Sequence, residues 1–269
     1  MITQAEISKI AYRGSISDRT IEKDYVIGWV LLGLADSHLK DLLAFKGGTA
    51  LKKIYFPDYR YSEDIDFTSM GKSNVKNFVD GFKEILLNLE KGVALTFNVP
   101  EEKIEKRKDS LTFYIEFVGP LLAKLGKRNI KVDITFKEKI IFPLNERRII
   151  TVYSDSMSLK KSLKVYSLEE IVMEKLCALI GRTEPRDLYD LHFLLMINGI
   201  DFVAAKRAFS EKAESKGIDP KRLKNIFSVK ESTITKMWGM RLSHQIKDLP
   251  QLNRISRETK RLLKQYKLI

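Results

Sequence analysis

The chain has 269 residues, 44% of them apolar, which is enough for a buried core in one large domain or two of ordinary size. No apolar run is long enough to span a membrane, the start lacks the basic-then-apolar order of a signal peptide, and the single cysteine, Cys177, excludes an internal disulfide, so we expect a cytoplasmic protein. The formal net charge of +13 favours a polyanionic partner such as nucleic acid, although a lysine-rich surface that only maintains solubility is the alternative.

The first 40 residues have the apolar spacing of helices. Ser17 and Asp18 can cap a helix whose broad apolar stripe is interrupted at residues 22–24 by Glu-Lys-Asp. We interpret this segment as a packing helix with a charged first turn. A short apolar run, Leu42 to Phe45, then predicts a buried strand that leads into two glycines.

Gly47 and Gly48 are followed by Thr49 and a short apolar segment with the period of a helix. Backbone without a Cβ can approach a phosphate closely, and the start of a helix offers N–H groups that have no partner within the helix. The two glycines therefore predict a site for the phosphates of a nucleotide. The alternative is an ordinary turn before a helix.

Asp64 and Asp66 alternate with Ile65 and Phe67 at the period of a strand. Both carboxylates then share one face, about 6–7 Å apart along the strand. A divalent cation between them would relieve their repulsion, and Mg²⁺, which takes a few carboxylates together with substrate phosphate oxygens, fits best. The alternative is a solvated strand face that carries two acidic residues.

Helical and extended patterns alternate from here to residue 153. A helix is predicted over Lys72 to Lys91. Further strands are predicted at Val93–Val99, Ser110–Val118, Asn129–Phe136 and Ile149–Tyr153.

Asp133 lies within one of these strands, on the face opposite Val132 and Ile134. If that strand pairs beside the one that carries Asp64 and Asp66, the three carboxylates form a triad. Asp133 would then help to ligate a metal ion or accept the proton of an attacking hydroxyl. Alternatively, Asp133 is a surface residue paired with Lys131 or with a neighbouring strand.

The pattern becomes helical from residue 156 onward, which predicts two domains, 1–155 and 156–269. Ser167 is predicted to cap the first helix of the second domain, with Glu170 at the position that completes a capping box. Pro185 is predicted to begin the next helix.

Lys175 and Arg186 are candidate contacts for a triphosphate in the second domain. Lys175 would act as a point charge and Arg186 as a second donor, while Asp187 lies beside Arg186 in the first turn of its helix. The alternative is an ion-pair cluster that fixes two helices to each other.

Several motifs, taken in order, resemble the AbiEii/AbiGii (MenT-like) nucleotidyltransferase toxin family of the polymerase-β-like nucleotidyltransferase superfamily. The resemblance covers residues from about 20 to 195 of the chain. The motifs are Ile21-Glu22-Lys23-Asp24-Tyr25, Lys46-Gly47-Gly48-Thr49-Ala50-Leu51, Arg60-Tyr61-Ser62-Glu63-Asp64-Ile65-Asp66, Glu174-Lys175-Leu176-Cys177-Ala178, Arg182, and Arg186-Asp187-Leu188-Tyr189-Asp190-Leu191.

The resemblance implies an α+β fold, in which a nucleotidyltransferase-type mixed sheet flanked by helices is followed by a helical domain that completes the nucleotide and RNA cleft. It implies the toxin of a type IV-like toxin–antitoxin system, active in abortive infection, with a cognate antitoxin as partner. Such a toxin would use NTP and Mg²⁺ to add nucleotides to RNA, at the 3′ end of tRNA.

Residue roles follow by position from the same resemblance. Asp64 and Asp66 would bind the metal, and Asp133 has a less direct counterpart. Lys175 would hold the triphosphate, and Asp187 belongs to the last acidic motif of the family. The residues that would contact the nucleotide are Gly48, Thr49 and Ser62.

Two other functions remain open at this point. The same chemistry could modify a protein or small-molecule hydroxyl instead of RNA. The chain could also be a non-catalytic nucleic-acid-binding module, although a retained pair of like charges at Asp64 and Asp66 argues against it.

Overall fold

The computed structural model describes residues 1–71, 75–197 and 199–269. Its first two helices each begin after a residue whose side chain accepts a hydrogen bond from the first turn. Helix α1, Gln4–Gly14, follows Thr3, and helix α2, Asp18–Ala35, follows Ser17, which accepts from the N–H of Thr20. The predicted cap at Ser17 is therefore confirmed.

The segment around the paired glycines has the predicted order of elements. Strand β1, Leu43–Lys46, leads directly into a short helix α3, Gly47–Ala50, which continues as a wider π-helical turn over Leu51–Tyr55. Strand β2, Asp64–Ser69, follows, and it buries Ile65 and Phe67 while Asp64 and Asp66 stay half-buried. The predicted alternation along this strand is confirmed.

Helix α4, Val75–Gly92, carries a strongly apolar side that ends at the predicted glycine. The predicted start of this helix, Lys72, lies outside the described residues. The remaining strands of the sheet are β3 (Thr96–Asn98), β4 (Glu105–Lys106), β5 (Ser110–Val118), β6 (Asn129–Thr135), β7 (Asn145–Arg148) and β8 (Ser162–Val165).

These strands form one mixed sheet in the order β3, β5, β6, β2, β1, β8, β7, with β4 added beside β5. Strand β2 is antiparallel to β1 and parallel to β6, so the two strands with predicted site carboxylates are central neighbours. Helix α4 packs on one face, where Phe82 contacts the rings of Phe67 and Phe113. The predicted mixed sheet flanked by helices is confirmed.

Two predictions about residues 149–165 are wrong. Ile149–Tyr153 is not a strand; the strand ends at Arg148. The N–H of Ile149 still donates to the carbonyl of Lys161 at 2.8 Å, but that of Ile150 donates outside the ladder, to the carbonyl of Lys53 at 2.6 Å. The chain also does not become wholly helical after residue 156, because β8 pairs in parallel with β1, Phe45 opposite Val165. Long-range pairing decides both outcomes, and local spacing cannot show it.

The structure divides into two compact units. The first comprises Met1–Glu138 and Leu144–Val165, and the second comprises Lys139–Pro143 and Tyr166–Ile269. The predicted domain boundary after residue 155 stays a prediction. The helices of the second unit are α5 (Leu168–Gly181), α6 (Pro185–Leu195), α7 (Phe202–Ser215), α8 (Ile226–Leu242) and α9 (Leu252–Gln265).

Helix α5 begins with the predicted cap at Ser167, but Glu170, predicted to complete a capping box, bonds to other partners. The side chain of Ser167 accepts from the N–H of Glu170 at 3.2 Å. The fully buried carboxylate of Glu170 accepts from the N–H groups of residues 141 and 142 at 2.9 Å each and pairs with Lys212 at 2.7 Å. Helix α6 begins at Pro185, as predicted. Among the described residues, no helix is both long and apolar enough to cross a membrane.

Candidate active site

Three carboxylates lie on one face of two neighbouring strands, and we call Asp64, Asp66 and Asp133 the acidic row. Strands β2 and β6 run in parallel with Asp66 directly opposite Asp133, while Asp64 lies two residues earlier on the same face of β2. All three side chains are half-buried. The residues that alternate with them, Ile65 on β2 and Val132 on β6, are buried on the opposite face. The register therefore brings together the three carboxylates that the sequence proposed as a triad.

Asp133 also has the surface partner that the sequence left open as an alternative. The ammonium group of Lys131 lies 2.6 Å from its carboxylate, and the hydroxyl of Thr112 on β5 donates to its other oxygen. Burial lowers the pKa of Lys131, but the bond to Asp133 and the charges of Asp133 and Asp64 outweigh it and raise that pKa overall. Lys131 is thus held in its charged form beside the acidic row.

A buried ion pair at the edge of the acidic row was not found from the sequence. Lys46, the last residue of β1, lies opposite Asp66 in the ladder, and its ammonium group is 3.2 Å from Glu138 and 3.4 Å from the hydroxyl of Thr135. On this part of the face, the carboxylates of Asp64, Asp66 and Asp133 are therefore neighbours, with the ammonium groups of Lys46 and Lys131 beside them. The position of Lys46 directly before the glycines could have identified it as a site residue from the sequence. No sequence pattern identifies Glu138.

The glycine turn packs against the acidic row with no room for a side chain. Gly47 has a positive φ of 84°, and a Cβ there would lie 2.5 Å from a carboxylate oxygen of Asp66. A Cβ on Gly48 would lie 2.7 Å from the guanidinium of Arg60 and 3.2 Å from the hydroxyl of Ser62. The close approach that the two glycines predicted therefore occurs, against side chains of the site itself.

Thr49 and Ser62 lie within this same arrangement. The buried hydroxyl of Thr49 donates to the carbonyl oxygen of Asp64, which ties the start of α3 to the start of β2. Ser62 is also buried, and its hydroxyl faces Gly48. Arg60, which the sequence analysis did not assign, is buried and donates to the carbonyl of Tyr61 at 3.0 Å.

Helix α2 is tied to the turn after the glycines by a buried charge pair. Asp24 pairs with Lys53 at 2.6 Å and accepts from the hydroxyl of Tyr153 at 2.6 Å. Burial, reinforced by the charge of Asp24, raises the pKa of Tyr153 well above its usual value, so the hydroxyl remains a donor. The sequence analysis interpreted this segment as a packing helix with a charged first turn; two of its charges, Glu22 and Asp24, are buried against such partners.

The second unit holds its predicted residues in an ion-pair cluster, which we define as Lys175, Arg182, Asp187 and Asp190. The ammonium group of Lys175 lies 3.1 Å from Asp187 and 2.6 Å from Asp190. Arg182 donates to both oxygens of Asp187, at 2.7 and 3.0 Å. This is the ion-pair arrangement that the sequence analysis kept as its alternative for Lys175.

Asp187 is fully buried and ionised within this cluster. Burial raises its pKa, but the positive charges of Lys175 and Arg182 and the bond from Arg182 outweigh burial and lower the pKa overall. Arg186 precedes it in the first turn of α6 and is half-buried. The structure thus brings Lys175 and Asp187 together, and it places Arg186 next to Asp187 in the first turn of α6.

Lys230 of α8 supports the same end of α5. Its ammonium group donates to the carbonyl oxygens of Leu179, Ile180 and Arg182 at 2.6, 3.0 and 2.5 Å. Burial, and then the charge of Arg222, lower the pKa of Lys230. A lysine that closes a helix end through three carbonyls gives no local sequence pattern, which is why the sequence analysis missed it.

The donor chemistry of the acidic row fits Mg²⁺. The ion prefers carboxylate oxygens and needs only one or two of them when substrate phosphates supply further ligands. Among the described residues, no group of three or more His, Cys, Asp or Glu side chains is already arranged to hold a metal ion. Asp64 and Asp66, on one face beside the Cβ-free turn, are the residues that would hold it together with a nucleotide.

Comparison with known proteins gives one family and several similar folds. The family model described as "Nucleotidyl transferase AbiEii toxin, Type IV TA system" matches residues 29–261. The chain is similar to the structure of MenT4, a nucleotidyltransferase toxin from Mycobacterium tuberculosis H37Rv, with 16% identity, a TM-score of 0.74, and coverage of 99% of this chain and 90% of that one. It is also similar to JHP933 from Helicobacter pylori, with 17% identity, a TM-score of 0.60 and 93% of each chain covered. No curated protein sequence matches the chain.

Proposed function

The chain belongs to the AbiEii family of nucleotidyl transferase toxins of type IV toxin–antitoxin systems, and from that premise we propose that it transfers a nucleotide from an NTP to RNA with the help of Mg²⁺. The acceptor we propose is the 3′ end of tRNA. Membership makes the chain an NTP-dependent nucleotidyltransferase, whereas the metal, the acceptor and the residue roles below are our proposals. The alternative of a non-catalytic nucleic-acid-binding module does not agree with membership of a family of nucleotidyltransferases.

One observation supports the proposal above all others. The Cβ-free backbone of Gly47 lies against the carboxylate of Asp66, and Asp133 lies directly opposite Asp66 on the neighbouring strand. Phosphoryl chemistry needs bare backbone for the phosphates and carboxylates for a cation at adjacent positions. The net positive charge of the chain, +13, independently favours a nucleic-acid acceptor.

We assign roles to the residues of the first unit on this basis. Asp64 and Asp66 would hold Mg²⁺, which supplies neutralisation of the phosphate charge when it is bound with the NTP. The main chain of Gly47 and Gly48 would receive the phosphates. The hydroxyl of Thr49 donates to the carbonyl of Asp64 and that of Ser62 faces Gly48, so we assign both residues to holding the nucleotide-binding backbone in place.

Asp133 is our candidate for the general base. The acceptor hydroxyl oxygen would attack the α-phosphorus of the NTP, its proton would pass to the Asp133 carboxylate, and pyrophosphate would leave. Lys131, 2.6 Å from Asp133, would keep that carboxylate in place beside Asp66 on the neighbouring strand. Thr112, which donates to Asp133, would fix the orientation of the carboxylate.

The second unit supplies the triphosphate contacts in our proposal. Lys175 would meet the triphosphate as a charge and Arg186 as a donor, while Asp187 would orient Lys175. Lys175 is bonded to Asp187 and Asp190, so its contact with the triphosphate requires exchange of one of these carboxylates. We further propose a cytoplasmic location and a cognate antitoxin, which need not form a stable complex.

The test is a transfer assay with separate acceptors. Purified protein is incubated with Mg²⁺ and each α-labelled NTP in turn, together with total tRNA, with a protein extract, or with neither. We expect label in tRNA, loss of transfer on chelation of Mg²⁺, and loss of transfer in Asp66→Asn but not in Asp80→Asn. Asp80 is exposed on α4, on the opposite face of the sheet, and is therefore a matched control.

Each outcome of this assay has a defined meaning. Label that enters protein and not RNA would replace the acceptor while keeping the chemistry. Transfer that survives Asp66→Asn would remove the metal assignment. Equal loss in Asp66→Asn and Asp80→Asn would indicate general damage to the fold instead of a role of the acidic row.

A further inference from the structure

A basic groove runs along the first unit beside the beginning of β6. It has a volume of about 520 Å³, and its walls carry the positive side chains of Arg19, Lys23, Lys127 and Arg128 together with the carboxylate of Glu63. We propose that this basic groove binds the phosphate backbone of the RNA acceptor next to the site of transfer. The inference rests on the proposed function and adds to it the place where the acceptor lies.

A buried carboxylate fixes one wall of the basic groove. Glu22 of α2 is fully buried, pairs with Arg128, and accepts from the N–H of Leu121 at 2.7 Å. Gly119 makes this approach possible, because a Cβ there would lie 2.8 Å from a carboxylate oxygen of Glu22. The connection between β5 and β6 is therefore anchored on α2, and Arg128 is held in position before any ligand arrives.

The positive charges in the basic groove exceed the negative charges that face them. Arg128 pairs with Glu22 and Lys23 pairs with Glu63 at 3.0 Å, whereas Arg19 and Lys127 add two further charges on exposed side chains. Burial lowers the pKa of Arg128, and the nearby positive charge of Arg19 lowers it further. An anion between the two guanidinium groups would relieve this repulsion, and phosphate matches their geometry.

The basic groove is continuous with the strands of the acidic row. Glu63, on its wall, directly precedes Asp64, and Lys131, two residues beyond Asn129 at the start of β6, lies opposite Asp64 in the ladder. From Glu63 to Asp66 the strand rises about 10 Å. RNA bound in the basic groove beside Glu63 would therefore have its end within about 10 Å of Asp66.

RNA backbone fits the basic groove better than the NTP does. The proposed nucleotide position is the glycine turn beside Asp66, and a single triphosphate needs only one group of donors. Four positive side chains on the walls of one groove can meet more than one phosphate, each of which releases counterions when it is neutralised. The shared chemistry is the phosphate group, so the experiment must separate RNA from NTP.

The experiment measures binding of labelled total tRNA by fluorescence anisotropy, without NTP, over a range of salt concentrations. Arg19→Ala/Lys127→Ala removes two charges from the groove. Lys76→Ala/Lys91→Ala removes two charges from exposed positions on α4, the helix that packs on the opposite face of the sheet. Arg19→Lys/Lys127→Arg keeps the charges. A steady-state transfer assay gives the KM for NTP of each variant.

We expect the groove variant to bind tRNA about tenfold more weakly and to reduce the slope of log K against log salt by about 2, with an unchanged KM for NTP. The α4 variant and the charge-keeping variant should bind within about threefold of wild type. Equal losses in the groove and α4 variants would overturn the proposal, because only bulk charge would then matter. An unchanged tRNA affinity with a raised KM for NTP would assign the groove to the nucleotide instead.

This design tests the groove proposal and the proposed transfer to RNA independently of each other. If wild type binds tRNA through the groove but labels no RNA, the groove stands and the proposed transfer to RNA is wrong. If wild type labels tRNA and the groove variant binds it normally, the transfer stands and the groove proposal is wrong. If wild type does not bind tRNA, the groove proposal is wrong whatever the transfer assay gives.

Discussion

The acidic row of the first unit and the ion-pair cluster of the second unit both gather carboxylates, but they balance them differently. In the acidic row, Asp64, Asp66 and Asp133 are half-buried and place three like charges side by side on one face. In the ion-pair cluster, Asp187 and Asp190 are fully buried and face two cations, Lys175 and Arg182.

From this difference we infer that the acidic row is arranged to bind a cation, whereas the ion-pair cluster is arranged to support the fold. Like charges held side by side repel each other and favour a cation, so their placement is explained by what the site receives. A balanced, buried cluster fixes its neighbours, and removal of one partner leaves an uncompensated buried charge. Variants of the acidic row should therefore lose activity and keep stability, and variants of the ion-pair cluster should lose stability first.

The largest effect is expected for Asp66→Asn. Loss of a carboxylate that holds the cation should reduce the rate of transfer at least about a thousandfold, which corresponds to about 4 kcal/mol. Thermal unfolding should occur at the same temperature as in wild type or higher, because one like charge is removed from the face. A marked fall in the unfolding temperature would place Asp66 with the supporting residues and break the comparison.

A smaller effect, on stability, is expected for Lys175→Met. The change removes the ammonium group that pairs with the two buried carboxylates of Asp187 and Asp190, so the free energy of unfolding should fall by about 3 kcal/mol. Urea unfolding followed by far-UV circular dichroism measures it. Lys236→Met, at an exposed position on α8, is the control and should change stability by less than about 0.5 kcal/mol. Unchanged stability in Lys175→Met would mean that this lysine serves the substrate only.

Lys46 and Glu138 sharpen the comparison, because they form a balanced pair beside the acidic row. Lys46→Met should cost about 2 kcal/mol of stability by removing the ammonium group that pairs with the largely buried carboxylate of Glu138. The double variant Lys46→Met/Glu138→Gln should recover most of that loss. A double-mutant cycle on urea unfolding measures the coupling, and additive effects would show that the two residues do not support each other.

The smallest effect is a dependence on pH. The pKa of Asp187 is lower in the folded protein than the value of about 3.9 in an unfolded chain, so the unfolded state takes up its proton first as pH falls. The stability contributed by this carboxylate is complete above about pH 4 and is lost as pH falls through the folded pKa. The difference in unfolding free energy between wild type and Asp187→Asn should therefore shrink between pH 5 and pH 3. A difference that stays constant over this range would contradict the assignment.

The sequence predicted those parts of the fold and site that depend on neighbouring residues. The glycine turn, the alternation around Asp64 and Asp66, and the caps at Ser17 and Ser167 all follow from local spacing, and the structure contains them. The pairing of β6 beside β2 could be stated only as a condition, because register depends on the whole sheet.

The features that the sequence missed all depend on residues far apart in the chain. The sequence shows Glu22 and Asp24 as charged positions near the start of a helix, and no nearby residue indicates that Arg128 and Lys53 lie beside them. Glu138 became part of the site only through its contact with Lys46, 92 residues away. Charged residues can be buried when a distant partner meets them, and composition and period give no information about such partners.

Gly47 has a consequence for how this protein can be inactivated in nature. Its left-handed backbone disfavours other amino acids, and any β-carbon would push the carboxylate of Asp66 out of place. A single nucleotide change in the codon for this glycine could therefore silence the enzyme while every acidic residue stays intact. Bacteria that escape such a protein by point mutation should carry lesions at this turn as often as at the carboxylates, and a sequence survey that checks only the acidic residues would count those proteins as active.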